Sequence, residues 1–161
     1  MNRHRSSVAP GIRRPLGLLL AMLAATGSAS AATVLTAVLD SSALASDSPA
    51  EGFARLVLDD SRTTITYEIT YTDLQGEEFA AHIHSGPAGN FGAIIHHLPL
   101  GTPKIGSWEP SERRVAELLD GYGSVVIHTD LDPEGEIAGW LAVEGAPVQG
   151  TTWSAIKRPL R

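Results

Sequence analysis

The chain has no cysteine among its 161 residues, and this absence removes several classes together. Disulfides and a cysteine-linked lipid anchor are excluded, so stability has to come from a buried core. Neither a G-x-S-x-G elbow nor a G-x-x-x-x-G-K phosphate loop occurs, and nucleophilic catalysis finds no support. No apolar run reaches the about 20 residues that cross a bilayer. The run "LGLLLAMLAAT" over 16–26 is too short. Positive charge is also scarce. Beyond residue 31 there are 8 Lys and Arg against 18 Asp and Glu, a net charge of −10. Such a surface repels nucleic acid and anionic membrane and favours cations or basic partners.

The short apolar run belongs to a leading segment that reads as an export signal. Arg3, Arg5, Arg13 and Arg14 precede it, and "ASA" over 29–31 supplies small residues for cleavage after Ala31. Arg13-Arg14 also allows twin-arginine export, although the flanking residues fit ordinary secretion better. The expected organisation is a signal peptide over 1–31, one domain over 32–145 and a loosely ordered tail over 146–161. The expected location is periplasmic or extracellular, with no stable membrane anchor after cleavage.

Beyond the signal, period-two alternation recurs in short runs separated by turn residues, which predicts an all-β, antiparallel, Greek-key-like sandwich. Strands are expected over 33–39, 53–58, 64–71, 79–84, 93–100 and in "GSVVIHTD" and "EIAGWLAVE". In the run 64–71, Ile65, Tyr67, Ile69 and Tyr71 share one face. One helix is expected over 111–120, capped by Ser111 and ended by Gly121, with Val115, Leu118 and Leu119 on one stripe. It would cover an open end of the sheets. Gly86, Gly89 and Gly92 of "SGPAGNFG" permit positive φ, and Trp108, Trp140 and Trp153 read as packing residues.

The chemistry-bearing feature is "AHIHSG". Residues i and i+2 of a strand point the same way, so His82 and His84 form a two-nitrogen pincer. Copper or zinc takes three or four ligands at about 2.0–2.1 Å, which leaves the pincer incomplete by itself. His128, at the end of "SVVIH", is the natural third imidazole if a neighbouring strand brings it alongside. His96 and His97 lie on opposite faces of their strand, so at most one of them joins a shared site. Glu77, Glu78, Asp130 and Glu136 read either as partners fixing the imidazole tautomers or as solvated charge. The same histidines also fit a purely structural role as hydrogen-bonding strand-end residues. "DLDPEGE" over 130–136 opens like a calcium loop, but position twelve is Leu141, so it reads as an acidic hairpin turn.

"TITYEITYTDLQGEEFAAHIHSGPAGNFGAIIHHLPL" and "GSWEPSERRVAELLDGYGSVVIHTDLDPEGEIAGWL" together resemble the CHRD domain, named from chordin. The resemblance runs over about 33–142. Its markers are A-H-I-H-x-G, a glycine loop, a short helix before a Y-x-x-V-H-T-like strand, and a final G-E-I-x-G-x-L. It implies an extracytoplasmic β-sandwich module, and in chordin the module accompanies growth-factor-binding domains. The motif histidines map onto His82, His84 and His128. Two segments depart from the pattern: "LDSSALASDSPAE" stands where relatives carry Glu-Val-Pro-Pro, and Ala138 and Trp140 replace an arginine and a glutamine. A weaker similarity to copper–zinc superoxide dismutases rests on the H-x-H strand, a late histidine, an acidic loop and a glycine-rich last strand. The disulfide cysteines and a zinc-binding His and Asp cluster are missing from it.

Three functional expectations follow. The first is a non-enzymatic module of the cell envelope that binds an unknown protein or envelope component and holds copper or zinc through His82, His84 and His128. The second is a copper-dependent, dismutase-like redox enzyme. The third is a structural module whose histidines hydrogen-bond without metal.

Overall fold

The computed structural model describes residues 32–145; the expected signal segment, the expected tail and Trp153 lie outside them. Nine strands and one helix follow in the order β1 (Thr33–Leu39), β2 (Glu51–Leu58), β3 (Ile65–Thr72), β4 (Glu78–Ser85), β5 (Ala93–His97), β6 (Lys104–Trp108), α1 (Glu112–Leu119), β7 (Gly123–Thr129), β8 (Ile137–Trp140) and β9 (Ala142–Val143). They form two antiparallel sheets, β6-β3-β2-β1-β9 and β5-β4-β7-β8. The chain crosses between the sheets after β3, β5, β6 and β8. This is the all-β sandwich that the alternation predicts.

Alternation decides what lies between the sheets. Leu35, Leu39, Leu56, Leu58, Ile65 and Ile69 of the first sheet meet Ala81, Ile83, Val125, Ile127 and Ile137 of the second in one core. Burying an aliphatic side chain contributes about 1.5–3 kcal/mol, so this layer carries most of the stability. Val115 and Leu118 of α1 close one end of it.

Three local expectations are corrected. "KIGSW" forms β6, paired with β3 from Ile65↔Trp108 to Ile69↔Lys104, although its glycine and lysine give no strand signal. "EIAGWLAVE" is two strands: β8 pairs with β7 in the second sheet and β9 with β1 in the first, with buried Leu141 at the switch. The α1 start receives no side-chain hydrogen bond from Ser111. Its end is a Schellman turn in which Tyr122 N–H donates to Glu117 and Gly121 N–H to Leu118.

Two buried charges join parts that the core does not. Lys104 of β6 and Glu136 are both 0 % exposed. The Lys104 ammonium pairs with Glu78 of β4 and donates to the Pro99 and Gly101 carbonyls at 2.8 and 2.9 Å. Glu78 also accepts from Tyr71 of β3 and from Gly101 N–H, so this group links the two sheets. Burial pulls the ammonium below its ordinary value, and the Glu78 carboxylate opposes that shift. Glu136 accepts from the Ser48 and Thr129 hydroxyls and from the N–H groups of Gln75 and Gly76, at 2.6–3.1 Å. Burial pushes its carboxyl upward, but these hydrogen bonds outweigh burial and hold it below the usual carboxylate value.

Replacing Lys104 by Met strands the Glu78 carboxylate, and a loss of about 3–5 kcal/mol in urea unfolding is expected. The double variant Lys104→Met with Glu78→Leu should recover most of that loss. A single-variant cost below about 1 kcal/mol would show that the pair does not hold the sheets together.

Candidate metal centre

The pairing of β4 with β7 builds the site. Ala80 lies opposite His128, His82 opposite Val126 and His84 opposite Ser124, with an irregularity between Glu78 and Ala80. Ala81 and Ile83 of β4 and Val125 and Ile127 of β7 face the core, so His82, His84 and His128 share the outer face. One ring nitrogen from each imidazole lies within 4.8 Å of the other two. The closest approach is His82 Nδ1 to His128 Nε2, 3.3 Å. His82 and His84 ring centroids are 5.6 Å apart.

Two of the rings are oriented by main-chain oxygens. His128 Nδ1 lies 2.9 Å from the Pro133 carbonyl, and His84 Nδ1 lies 3.3 Å from that of Gly92. In a neutral ring Nδ1–H donates, and Nε2 keeps its lone pair. His84 is only 8 % exposed and its Nε2 has no partner. The hydroxyl of Ser124, opposite His84, is also buried without a partner. Buried polar atoms normally find partners; His84 Nε2 and Ser124 Oγ lack one at adjacent positions on this face, as does His96 Nε2 on the opposite face of β5. Metal ligation needs His82 to carry its proton on Nε2, which frees Nδ1 to join the two Nε2 atoms.

The loop carrying Gly92 has a tight path. Gly92 has φ +69°, and a Cβ at Gly86 would lie 2.2 Å from the Asn90 carbonyl oxygen. Gly89 and Gly92 take positive φ as expected. Gly86 does not, and close backbone approach is what its missing side chain permits.

His97 stands opposite His82 across β4–β5, with ring centroids 4.7 Å apart. It shares the outer face but lies outside the three-imidazole group. His96 stacks on Trp108 at 4.5 Å and meets Tyr67 edge-on, far from this chemistry. The proposed carboxylate partners are elsewhere: Glu78 is paired with Lys104, Glu136 is held in its hydroxyl and amide cradle, and Asp130 accepts from Glu77 N–H at 2.7 Å. The tautomer-fixing groups are therefore the Gly92 and Pro133 carbonyls, which no side-chain pattern reveals. "DLDPEGE" is a turn, with Asp132 accepting from Ser46.

Around the histidines, Phe91 stacks on Trp140 at 5.2 Å and lies 6.2 Å from His84, while Phe79 lies 6.2 Å from His128. Surface hollows along the first sheet, at the turn after β2 and beside α1 are lined by residues other than these histidines.

Burial, followed by the neighbouring imidazoles His128, His97 and His84, pulls His82 down to about 4. Burial also lowers His84, although its bond to Gly92 opposes the shift. Near pH 5 the folded protein therefore holds fewer protons at these rings than the unfolded chain, whose histidines titrate near about 6.5. Stability contributed by the neutral rings is complete above about pH 6.5 and is lost as pH falls toward the folded-state values. In chelator, the denaturation midpoint should fall between pH 6.5 and 4, and His82→Ala should flatten that fall. An unchanged slope in His82→Ala would remove His82 as its source.

The CHRD domain family profile matches residues 35–141, spanning eight of the nine strands from near the start of β1, the helix, and all three clustered histidines. Comparison with curated proteins found no match. The two-sheet architecture and the family match over most of the chain agree, and the chain belongs to the CHRD domain family.

Proposed function

We propose that this CHRD protein is an exported, non-enzymatic module of the cell envelope that binds copper or zinc through His82, His84 and His128. The observation that carries the reading is the convergence of one ring nitrogen from each of three imidazoles within 4.8 Å, together with a His84 Nε2 that is buried without a partner. Imidazole donors suit zinc and copper, and three of them make a sufficient protein ligand set. Export rests on the leading segment with its four arginines, short apolar run and small-residue end. The net charge of −10 beyond residue 31 directs the partner toward a protein or envelope component and away from nucleic acid. A non-enzymatic role is supported by imidazoles that stand on a sheet face and by the absence of nucleophile motifs.

A second reading has one observation in its favour. The 3.3 Å contact between His82 and His128 is also what a purely structural imidazole hydrogen bond requires.

Titration of the full chain with Cu(II) or Zn(II), followed by metal analysis, separates the two. One metal per chain is expected, with His84→Ala and His128→Ala each weakening binding beyond the about 100-fold caused by altering residues behind a ligand. His96→Ala, on the opposite face, should bind as the parent does. Circular dichroism confirms that each variant is folded. Lack of stoichiometric binding by the parent, or equal binding by the His84 and His128 variants, would leave the structural reading in place.

A further inference from the structure

We infer that a metal held by these three histidines keeps one coordination position for an exogenous small anion. This rests on the proposed metal reading and deepens it by naming what the site accepts.

All three donors stand on one face of β4 and β7, so they approach a metal from the sheet side. The described residues contribute three ligand-bearing side chains to the group. Outside them, the only side chain among His, Cys, Asp and Glu is His4, and residues 146–161 contain none. Zinc and copper accept four ligands, and a site with three protein ligands takes a solvent-derived or substrate ligand in the fourth place.

Charge selects the class of that ligand. The donors are neutral imidazoles with Nδ1–H committed to the Gly92 and Pro133 carbonyls at His84 and His128. Glu78, Glu136 and Asp130 each have a partner of their own, in Lys104, the Ser48 hydroxyl and the Glu77 N–H, and none belongs to the three-imidazole group. Nothing in the ligand set offsets a divalent charge, and an anion neutralises it better than a neutral molecule does. The rim is open enough to admit one, since Phe79 beside His128 is 54 % exposed and His97 beside His82 is exposed. His97 is the competing occupant. Its ring lies against His82, and it belongs to a different strand from the three donors.

The test is azide titration of the Cu(II)-loaded full chain, read by the azide-to-copper charge-transfer absorption and by electron paramagnetic resonance, in the parent and in His97→Ala. A saturable new absorption at one azide per copper, of similar affinity in both proteins, is expected. Absorption only in His97→Ala would mean that His97 fills the position, and absorption in neither would mean that the position is closed. Either result overturns the inference while leaving metal binding intact. Failure to load copper at all, seen before azide is added, overturns the metal reading and this inference with it.

Discussion

The register between β4 and β7 is the constraint on which the rest depends. With Ala80 opposite His128 and His82 opposite Val126, the third imidazole falls beside the H-x-H pair. A slip of one residue would turn His128 inward and Ile127 outward, destroying both the site and the core contact. The apolar side chains therefore enforce the polar arrangement. Ile83, Val125 and Ile127, each 0 % exposed, lock the strands in the one register that puts the nitrogens together. Stability and the candidate site are two faces of the same sheet.

The buried polar groups tie loops to strands. Glu136 draws together the segment before β2, the turn before β4 and the end of β7. Lys104 gathers the 99–101 segment against β4. Carboxylates and ammonium groups are seldom fully buried without partners, and each of these has several. Such groups specify position more than they add net stability, which suits segments that have little apolar surface of their own.

Much of this was legible in the sequence because it follows from parity. Alternation put Ile65, Tyr67 and Ile69 on one face, and the same rule put His82 and His84 together. Parity also placed His96 and His97 on opposite faces, but it does not say which face is the core, so the choice of His97 required the register with His82. The strand at Lys104–Trp108 escaped because a buried lysine reads as a solvent residue until Glu78 is seen beside it. The division of the last strand escaped for a similar reason: Leu141 continues the apolar run although the chain changes sheets there. The carboxylates of the chain suggested themselves as histidine partners, yet Glu78 and Glu136 are committed to buried partners and Asp130 to a main-chain amide. Main-chain oxygens of two loops took that place, and they leave no trace in residue identity.

Those two oxygens have a consequence for how such a site is inherited. A side-chain acceptor is lost by a single substitution, whereas a main-chain carbonyl is kept by any residue that fits the backbone, although at position 92 a positive φ and a Cβ 2.3 Å from the Ser85 oxygen restrict that residue to glycine. What preserves the proton on Nδ1 is therefore the course of the loop, which at Gly86 and Gly92 depends on the absence of a side chain. An insertion or deletion of one residue near either loop would change the tautomer of an imidazole without touching a histidine. In this chain the course of two loops, more than the charge pattern, decides which nitrogens of His84 and His128 carry the proton.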